Sequence, residues 1–304
     1  MKAFVTGGAG FIGSHLTDSL LDMGTEVHII DNLSSGKKEY VNPAAVFHEL
    51  DISDPSIVEL IDLHKPDYIY HLAAQADVNR STECPYQDMK TNLIGTINLL
   101  DGCRKAPIKK FIFSSTSAVY GNGPDKKLTE QSPLNPASFY GLSKVSAEKY
   151  IQLYGDFFSV PFSILRYGNV YGPRQTAKGE GGVIAIFLEK LKQSERLKVN
   201  GDGDQTRDFI YVQDIVDANI AASMHHSNDI FHISTGSSAS INKLIELLNE
   251  LHPSPIDYFH SENRIGDIKH SCLDNSKAVN SLNWSPSFSL KEGILQTYRS
   301  FLKK

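Results

Sequence analysis

Short apolar segments alternate with segments of helical periodicity up to residue 167, and this pattern predicts an α/β protein. Several of the apolar segments are nearly continuous, which is typical of parallel strands buried on both faces. Alternation of strand and helix implies right-handed crossovers between parallel strands. The chain has 304 residues, of which 40% are hydrophobic, so it can bury a large core. The sequence therefore predicts a doubly wound parallel sheet.

Each element of the first half follows from a local pattern. Predicted strands are Ala3–Thr6, Val27–Asp31, Val46–Glu49, Tyr68–Leu72, Phe111–Ser115 and Phe162–Tyr167. Predicted helices are Ile12–Met23, Pro55–His64, Gln87–Lys105 and Tyr140–Phe157. The second of these helices has proline in its first turn behind Asp54, which is a typical helix start.

After residue 167 the pattern becomes less regular, with glycine and proline clustered at 168–182 and 200–203. Helices are predicted over Val183–Gln193, Asp214–Met224, Asn242–Leu251 and Leu290–Phe301, and a strand over Ile230–Ser234. We interpret this half as a smaller mixed α/β C-terminal lobe, some segments of which return to the sheet.

Composition excludes several classes of function. A net charge of −5 argues against a broad nucleic-acid surface, and no segment approaches the roughly 18 apolar residues of a membrane span. The N-terminal MKAFVTGGAGFIG reaches its glycines too early for a secretory signal. Cys84, Cys103 and Cys272 are widely spaced, which fits reduced thiols in a cytoplasmic protein. No cysteine or histidine cluster has metal-ligand spacing, so no metal site is expected.

A glycine-rich loop follows the first predicted strand and opens the first helix. It contains both G-x-G-x-x-G (Gly8, Gly10, Gly13) and G-x-x-G-x-x-G (Gly7, Gly10, Gly13). Missing side chains let the backbone approach a pyrophosphate, and the helix N-terminus supplies N–H donors. A tight turn that binds nothing shares this pattern, but the second strand ends in Asp31, 18 residues after Gly13. A carboxylate there can accept hydrogen bonds from ribose hydroxyls and repels a 2′-phosphate, which predicts NAD rather than NADP.

Further candidate residues follow the other strands at the same edge of the sheet. The third strand leads to Asp51 and Ile52, the fourth ends in HLAAQADV (71–78), and the fifth ends in a hydroxyl cluster at 114–117. Each segment alone is ordinary. Together they line the edge at which ligands bind in such sheets.

Tyr140 and Lys144 form the pattern Y-x-x-x-K, which places both side chains on one helix face. A nearby cation favours the phenolate and lowers a tyrosine pKa from about 10 toward neutrality, as a general base requires. Tyr86 and Lys90 form a second match, so the pattern alone is weak. Tyr140 differs from Tyr86 in lying 24 residues after the hydroxyl cluster, at Thr116.

Seven motifs in order carry a family resemblance: TGGAGFIGSH, HLAAQADV, FSSTSAVYG, YGLSK, LRYGNVYGPRQ, GDGDQTRDFIYVQDI and NRIGD. They resemble the extended short-chain dehydrogenase/reductase superfamily, within it the NAD-dependent epimerase/dehydratase family and its sugar-nucleotide epimerases. The resemblance covers nearly the whole chain. It implies an NAD-binding Rossmann domain at 1–167, to which about 205–228 returns, and a nucleotide-sugar-binding lobe at 168–204 and 229–304.

The resemblance also implies residue roles. Tyr140 matches the catalytic base, Lys144 its partner on the nicotinamide ribose, and Thr116 the residue that hydrogen-bonds the sugar 4-hydroxyl. Implied NAD contacts are Gly7, Gly10, Phe11, Ile12, Gly13, Asp31, Asn32, Asp51, Ile52, Leu72, Ala73, Ala74, Asn92, Ser114, Tyr140, Lys144 and Tyr167. Implied contacts to the nucleotide-sugar substrate, a UDP-hexose, are Ala76, Thr116, Asn169, Val183, Arg207, Arg264 and Ser271.

The implied reaction is epimerisation through transient oxidation at sugar carbon 4. Dehydratases of the family carry an acidic pair after the active-site threonine, where this chain has Ser117 and Ala118. Relatives that act on glucuronate commonly carry a basic residue soon after GPRQ; here Thr176 and Ala177 follow and Lys178 comes later, so that alternative stays open. A non-catalytic NAD-binding regulator usually lacks the tyrosine or the lysine, and both are present.

The resemblance further implies a homodimer, in which the helices at 87–105 and 140–157 pair across a two-fold axis. Candidate interface residues at near-helical spacing are Leu93, Ile97, Leu100, Ile151 and Tyr154, although burial in their own subunit explains them nearly as well. The resemblance implies that the position of Ser271 lies beside the 2-substituent of the sugar. Relatives that carry tyrosine at this position are restricted to plain hexoses, whereas a small residue leaves room for an N-acetyl group. Ala76 is likewise small where some relatives carry lysine.

Overall fold

The structure, a computed structural model, describes residues 1–121, 127–177, 181–262 and 269–302. Its strands are β1 (Lys2–Thr6), β2 (Glu26–Asp31), β3 (Val46–Glu49), β4 (Tyr68–His71), β5 (Lys110–Thr116), β6 (Phe162–Tyr167), β7 (Asn169–Tyr171), β8 (Leu197–Asn200), β9 (Thr206–Arg207), β10 (Phe209–Tyr211), β11 (Asp229–Ile233), β12 (Ala239–Ser240) and β13 (Tyr258–Ser261). Its α-helices are α1 (Phe11–Asp22), α2 (Ser56–His64), α3 (Val78–Glu83), α4 (Pro85–Met89), α5 (Gly95–Lys105), α6 (Phe139–Phe158), α7 (Val183–Lys192), α8 (Val212–Ser223), α9 (Ile241–Leu251), α10 (Ser276–Leu282) and α11 (Leu290–Leu302).

Seven parallel strands form the central sheet, in the order β11-β6-β5-β4-β1-β2-β3. The chain moves outward from β1 to β3, then returns past β1 to β4 and moves outward in the other direction. The strand order therefore reverses between β1 and β4, and ligands bind outside the carboxyl ends of strands at such a point. This topology confirms the predicted doubly wound parallel sheet.

The six strands predicted for the first half agree with the structure to within one residue at each end. The strand predicted at Ile230–Ser234 is β11, and its assignment to the smaller lobe at 229–304 differs from the structure. β11 pairs with β6 along Asp229–Ile233 as the outermost strand of the central sheet. Its Phe231 and Ile233 are fully buried in the core against that sheet. A single strand pattern does not show which sheet the strand joins, so sequence reasoning missed this pairing.

Successive strand residues point to opposite faces of the sheet, and here the residues on both faces are mostly apolar. Helices therefore cover both faces. On one face, Ala3 and Val5 of β1 pack with side chains of α1, α8 and α10. On the other, Phe4 packs with side chains of α2, α5 and α6. A third core joins α7, α9 and α11 with β8 and β10 in the smaller lobe. Within the described ranges, no helix is long and apolar enough to cross a membrane.

The helix predicted as one unit over Gln87–Lys105 is interrupted in the structure. A π-helical turn over Lys90–Ile94 lies between α4 and α5. Such wide turns inside α-helices occur frequently at functional sites. Here the turn contains Asn92, which is buried and hydrogen-bonded to α6.

Candidate active site

The glycine loop between β1 and α1 has no room for a side chain at Gly7 or at Gly13. A Cβ added to Gly13 would lie 2.1 Å from the carbonyl oxygen of Gly7. Gly7 has a φ of +71°, and a Cβ there would lie 2.8 Å from the backbone nitrogen of Ala73 at the end of β4. The N-cap of α1 is Gly10, and no side chain in the described part of the chain caps this helix. The loop and helix N-terminus therefore form a cradle of backbone groups that fits a pyrophosphate.

Asp31 closes β2 beside this cradle, and its side chain is buried. Its carboxylate accepts hydrogen bonds from the backbone N–H of Ala9 at 3.0 Å and of Leu33 at 2.8 Å. Burial raises the pKa of Asp31, and these two hydrogen bonds oppose the rise. A Cβ on Gly36 would lie 2.8 Å from the same carboxylate, so the loop after β2 folds closely over it. The carboxylate is thus held at the end of β2, where it could accept hydrogen bonds from the hydroxyls of an adenosine ribose.

One cleft at the carboxyl edge of the sheet brings together nearly all the residues predicted to contact NAD. We call it the cofactor cleft. The predicted residues that line it are Gly7, Gly10, Phe11, Ile12, Gly13, Asp31, Asn32, Asp51, Ile52, Leu72, Ala73, Ala74, Ser114, Tyr140, Lys144 and Tyr167. Ser115 of the predicted hydroxyl cluster also lines it, whereas sequence reasoning missed Ser34, Ser35, Leu50 and Thr91. The available signal was the position of Ser34 and Ser35, three and four residues after Asp31.

Asn92 was predicted to contact NAD, but it does not line the cofactor cleft. Its side-chain amide donates to the carbonyl of Gln75 at 2.9 Å and to the hydroxyl of Ser143 at 3.0 Å, and its oxygen accepts from the Gln75 N–H. The π-helical turn directs this side chain inward, where it joins the segment after β4 to α6. Asn92 therefore supports the wall of the cleft from behind.

Tyr140 and Lys144 lie on the first turns of α6, and both line the cofactor cleft. Ser138 caps the helix by accepting a hydrogen bond from the Gly141 N–H at 3.0 Å. A Cβ on Gly141 would lie 2.7 Å from the carbonyl oxygen of Ala118, so the helix start packs tightly against the turn after β5. This close approach brings Tyr140 to the carboxyl edge of the sheet, where β5 ends.

The Lys144 side chain is buried, with 2% of its surface exposed. Its ammonium donates to the carbonyl oxygen of Ser114 at 2.9 Å and lies 4.6 Å from the centre of the Phe113 ring. The lysine is four residues after Tyr140, on the same face of α6. A cation held at this place favours the ionised form of a neighbouring phenol.

Tyr167 also lines the cofactor cleft but differs chemically from Tyr140. Its hydroxyl is hydrogen-bonded to the hydroxyl of Ser114 at 2.9 Å and accepts from the Asn219 amide at 2.7 Å. Burial raises the pKa of Tyr167 to about 12. Tyr167 is therefore a neutral phenol near pH 7 and is unsuited to act as a base.

A second cleft continues from Tyr140 toward the smaller lobe, and we call it the sugar cleft. The predicted substrate residues that line it are Ala76, Thr116, Asn169, Arg207 and Ser271. Val183 does not line it: this residue is partly buried and packs against the core of the smaller lobe. Arg264 lies outside the described residues. Val78 and Ser117, from the two segments that the sequence placed at this edge, also line it. Residues to which sequence reasoning gave no role here are Asn79, Ala137, Gln175 and Gly181.

A buried charged network fixes the end of β5 from behind. Glu148 of α6 pairs with Arg166 of β6 at 2.6 Å and accepts a hydrogen bond from Ser115 at 2.5 Å. Arg166 also donates to the Tyr120 hydroxyl at 2.6 Å, and this hydroxyl is 2.5 Å from a ring nitrogen of His232. Burial, assisted by the Arg166 charge, lowers the pKa of His232 to about 4. A satisfied network of this kind holds the strand end, and with it Thr116, in one position.

The profile described as the NAD dependent epimerase/dehydratase family matches residues 3–234. The chain belongs to this family. A relative named putative UDP-glucose 4-epimerase, from Methanocaldococcus jannaschii, is 43% identical over 291 residues, which cover 95% of each chain. NAD is therefore the cofactor, and the glycine cradle with Asp31 fits it.

Two solved structures are similar over nearly the whole chain. One is a UDP-glucose 4-epimerase with UDP-glucose from the hyperthermophile Thermotoga maritima, which is 42% identical with a TM-score of 0.95 and matches 100% of this chain and 99% of that one. The other is a UDP-N-acetylglucosamine 4-epimerase from Methanobrevibacter ruminantium M1 in complex with UDP-N-acetylmuramic acid. It is 36% identical with a TM-score of 0.95, and the match covers 99% of this chain and 98% of that one.

Proposed function

We propose that the protein is an NAD-dependent nucleotide-sugar 4-epimerase that interconverts UDP-glucose and UDP-galactose. The observation that carries this proposal is the position of Tyr140, which lines both the cofactor cleft and the sugar cleft. A base at this junction faces both the nicotinamide end of a bound cofactor and the reacting carbon of a bound sugar. The names of the similar proteins support the same activity.

In this proposal Tyr140, as the phenolate, removes the proton from the sugar 4-hydroxyl. Lys144 stabilises the phenolate through its charge, and Thr116 hydrogen-bonds the same hydroxyl. When bound, NAD supplies reversible hydride chemistry at sugar carbon 4. Tyr140 then returns its proton to the oxygen on carbon 4 of the opposite epimer, so that the enzyme is unchanged after each turnover.

The sugar cleft supplies binding energy away from the reacting carbon. Arg207 and Asn169 line this cleft, and a guanidinium is well suited to hold a diphosphate because its N–H groups pair with phosphate oxygens. Anchoring the nucleotide allows the sugar itself to be held loosely and to present either face to Tyr140. The small side chains of Ala76, Ala137 and Ser271 leave room for this turn, and they support a further role with N-acetylhexosamine substrates.

The reaction is tested by incubating the purified protein separately with UDP-glucose, UDP-N-acetylglucosamine and UDP-glucuronate and identifying the products by NMR. We expect UDP-glucose to be converted to an equilibrium mixture with UDP-galactose. Turnover of UDP-glucuronate alone, or formation of a 4-keto-6-deoxy product, would contradict the proposal. The second outcome is not expected because Ser117 and Ala118, which line the sugar cleft, provide no acidic pair for water elimination.

The protein is also proposed to form a homodimer through α6. Large apolar side chains along one stripe of this helix are exposed: Phe139, Leu142, Tyr150, Leu153 and Phe157. Exposed apolar side chains grouped along one face of a helix support its use as an interaction surface. Two of the interface residues suggested by the sequence are wrong for this role, because Leu100 and Ile151 are fully buried in their own core.

The dimer is tested with Leu153→Glu, which places a charge in the middle of the stripe. We expect the wild-type protein to have the mass of a dimer by light scattering at micromolar concentration, and the variant to have that of a monomer. Met224→Glu is the matched control, because Met224 is 64% exposed but lies after α8, outside the stripe. A monomeric wild type would refute the proposal.

A further inference from the structure

Three histidines that belong to neither cleft lie together on the face of the sheet covered by α2. They are His28 of β2, His48 of β3 and His64 at the end of α2. One potential ligand nitrogen from each ring lies within 4.8 Å of the other two. The ring centres are 4.6 to 5.4 Å apart. Three imidazoles from three separate elements therefore converge on one point.

The hydrogen bonds of His28 resemble those of a metal ligand. Its Nε2 lies 3.0 Å from a carboxylate oxygen of Glu26, so Nε2 carries the proton. Its Nδ1, with the lone pair, then faces Nε2 of His48 at 2.9 Å. A carboxylate behind a histidine is the common arrangement for orienting an imidazole toward a metal. A simple pair of hydrogen-bonded histidines would account for His28 and His48, but not for the approach of His64.

The surroundings are closed on one side and open on the other. Phe4 of β1 is fully buried and stacks on His28, with ring centres 5.2 Å apart. His28 is buried, whereas His48 and His64 are partly exposed and leave a path from solvent. Lys2 contributes the nearby positive charge, but its ammonium is held 3.3 Å from Glu26, which offsets it.

We propose that His28, His48 and His64 bind a divalent cation of the zinc type, with water as the fourth ligand. Imidazole nitrogen suits Zn²⁺ and its late first-row neighbours. Tetrahedral coordination with Zn–N bonds of about 2.0–2.1 Å requires nitrogens about 3.4 Å apart. His28 Nδ1 and His48 Nε2 are 2.9 Å apart, and the potential ligand nitrogens of the three rings lie within 4.8 Å of one another, so the rings would turn to adopt this geometry on binding. The ion would join β2, β3 and α2 and so stabilise the fold, away from the reacting atoms.

The sequence did not predict a metal site because the three histidines lie far apart along the chain. His48 follows His28 by 20 residues and precedes His64 by 16, so no short ligand motif is present. The parallel pairing of β2 with β3 and the packing of α2 bring these residues together. A local spacing rule does not detect ligands that only tertiary structure unites.

The test uses tag-free enzyme that has been treated with EDTA and then titrated with Co²⁺, a spectroscopic substitute for Zn²⁺. We expect one Co²⁺ per chain with the visible absorption of a tetrahedral site, and its displacement by Zn²⁺. His48→Gln and His64→Gln should each weaken Co²⁺ binding at least tenfold, and Glu26→Gln by about 10–100-fold. His226→Gln is the matched control, because His226 is exposed and lies outside the cluster.

Thermal unfolding provides a second readout. Zn²⁺ at a hundredfold excess over the wild-type Kd should raise the Tm of the wild type by about 5 °C and that of His64→Gln by about half as much or less, because a tenfold weaker site still retains about half of the stabilisation. Retained NAD content shows that each variant is folded. Wild-type enzyme that binds no Co²⁺, or binding that His48→Gln and His64→Gln leave intact, would overturn the proposal. Because the readout is metal binding, a negative result leaves the proposed epimerase activity standing, and the reverse also holds.

Discussion

The cofactor cleft and the sugar cleft are built by different means. The cofactor cleft consists largely of backbone and short side chains at the carboxyl ends of adjacent strands, as at Gly7, Gly13 and Ala73. The sugar cleft consists of side chains from distant segments, such as Asn169 after β6 and Ser271 near the end of the chain. Exchange of a side chain is tolerated more easily than displacement of backbone. We infer that cofactor binding rests mainly on backbone at the edge of the sheet, with Asp31 as the selective side chain, whereas substrate choice would depend on a few replaceable side chains.

The largest expected effect is at Tyr140, where the clefts meet. Tyr140→Phe removes only the hydroxyl that transfers the proton, so kcat should fall by about 10²–10⁴-fold, the usual range for loss of a positioned acid–base group. NAD content should be unchanged, since the backbone of α6 and Lys144 remain in place. Initial rates with UDP-glucose and cofactor analysis of the purified variant provide the measurement.

Tyr86→Phe is the control for this substitution. Tyr86 begins the second Y-x-x-x-K pattern, but its side chain is 73% exposed and lines neither cleft. The turnover of Tyr86→Phe should therefore match that of the wild-type enzyme. Near-normal turnover in Tyr140→Phe would mean that another group transfers the proton and that the position of Tyr140 between the two clefts does not make it the base.

The cofactor cleft was predictable because its signals are local. Asp31 follows a glycine loop at a fixed interval, and the loop is bounded by a strand and a helix whose patterns are clear. Parallel pairing then places every strand end at one edge, so Asp51 and Ser114 could be assigned to the cleft without tertiary information. In a parallel sheet, the residue that follows each strand along the chain therefore lies at this same edge in space.

Predictions based on side-chain direction were less successful. Asn92 was expected in the cleft, but the π-helical turn directs it into the wall behind. Val183 was expected in the sugar cleft but packs into the core of the smaller lobe. The sequence shows no histidine cluster, yet His28, His48 and His64 lie together in the structure. Helix register, the partner of an isolated strand and the meeting of remote side chains depend on packing. A sequence pattern of period 2 or 3.6 contains no information on them.

The second-largest expected effect is a loss of NAD affinity, which tests the cofactor cleft separately from the sugar cleft. In Gly13→Ala the new Cβ would lie 2.1 Å from the Gly7 carbonyl oxygen, so the loop must open. We expect NAD affinity to fall at least tenfold, and UDP affinity, a property of the sugar cleft, to fall much less. Calorimetric titration with each ligand measures both.

Gly24→Ala provides the control for the loop. Among the described residues, nothing lies within 4 Å of a Cβ at Gly24, although its φ of +76° makes alanine strained by about 1–2 kcal/mol. This variant should therefore lose some stability but keep its NAD affinity. Full NAD binding by Gly13→Ala would show that the loop is adaptable, and the contrast between a rigid cofactor cleft and a variable sugar cleft would fail.

The smallest expected effect is a change in substrate preference, which tests the sugar cleft separately from the cofactor cleft. The Ser271 backbone N–H donates to the Thr206 carbonyl at 3.2 Å, so this residue is held beside β9 while it lines the cleft. Ser271→Tyr adds a phenol ring, which should exclude the N-acetyl group of UDP-N-acetylglucosamine but leave the contacts shared with UDP-glucose. The ratio of kcat/KM for UDP-glucose to that for UDP-N-acetylglucosamine should rise about tenfold or more, since small differences in pocket size discriminate by roughly 10–200-fold. Ser238→Tyr, at an exposed position outside the cleft, should leave the ratio unchanged. An equal ratio in Ser271→Tyr and the wild type would mean that other residues of the sugar cleft select the substrate, because a ring at this position would then point away from the sugar.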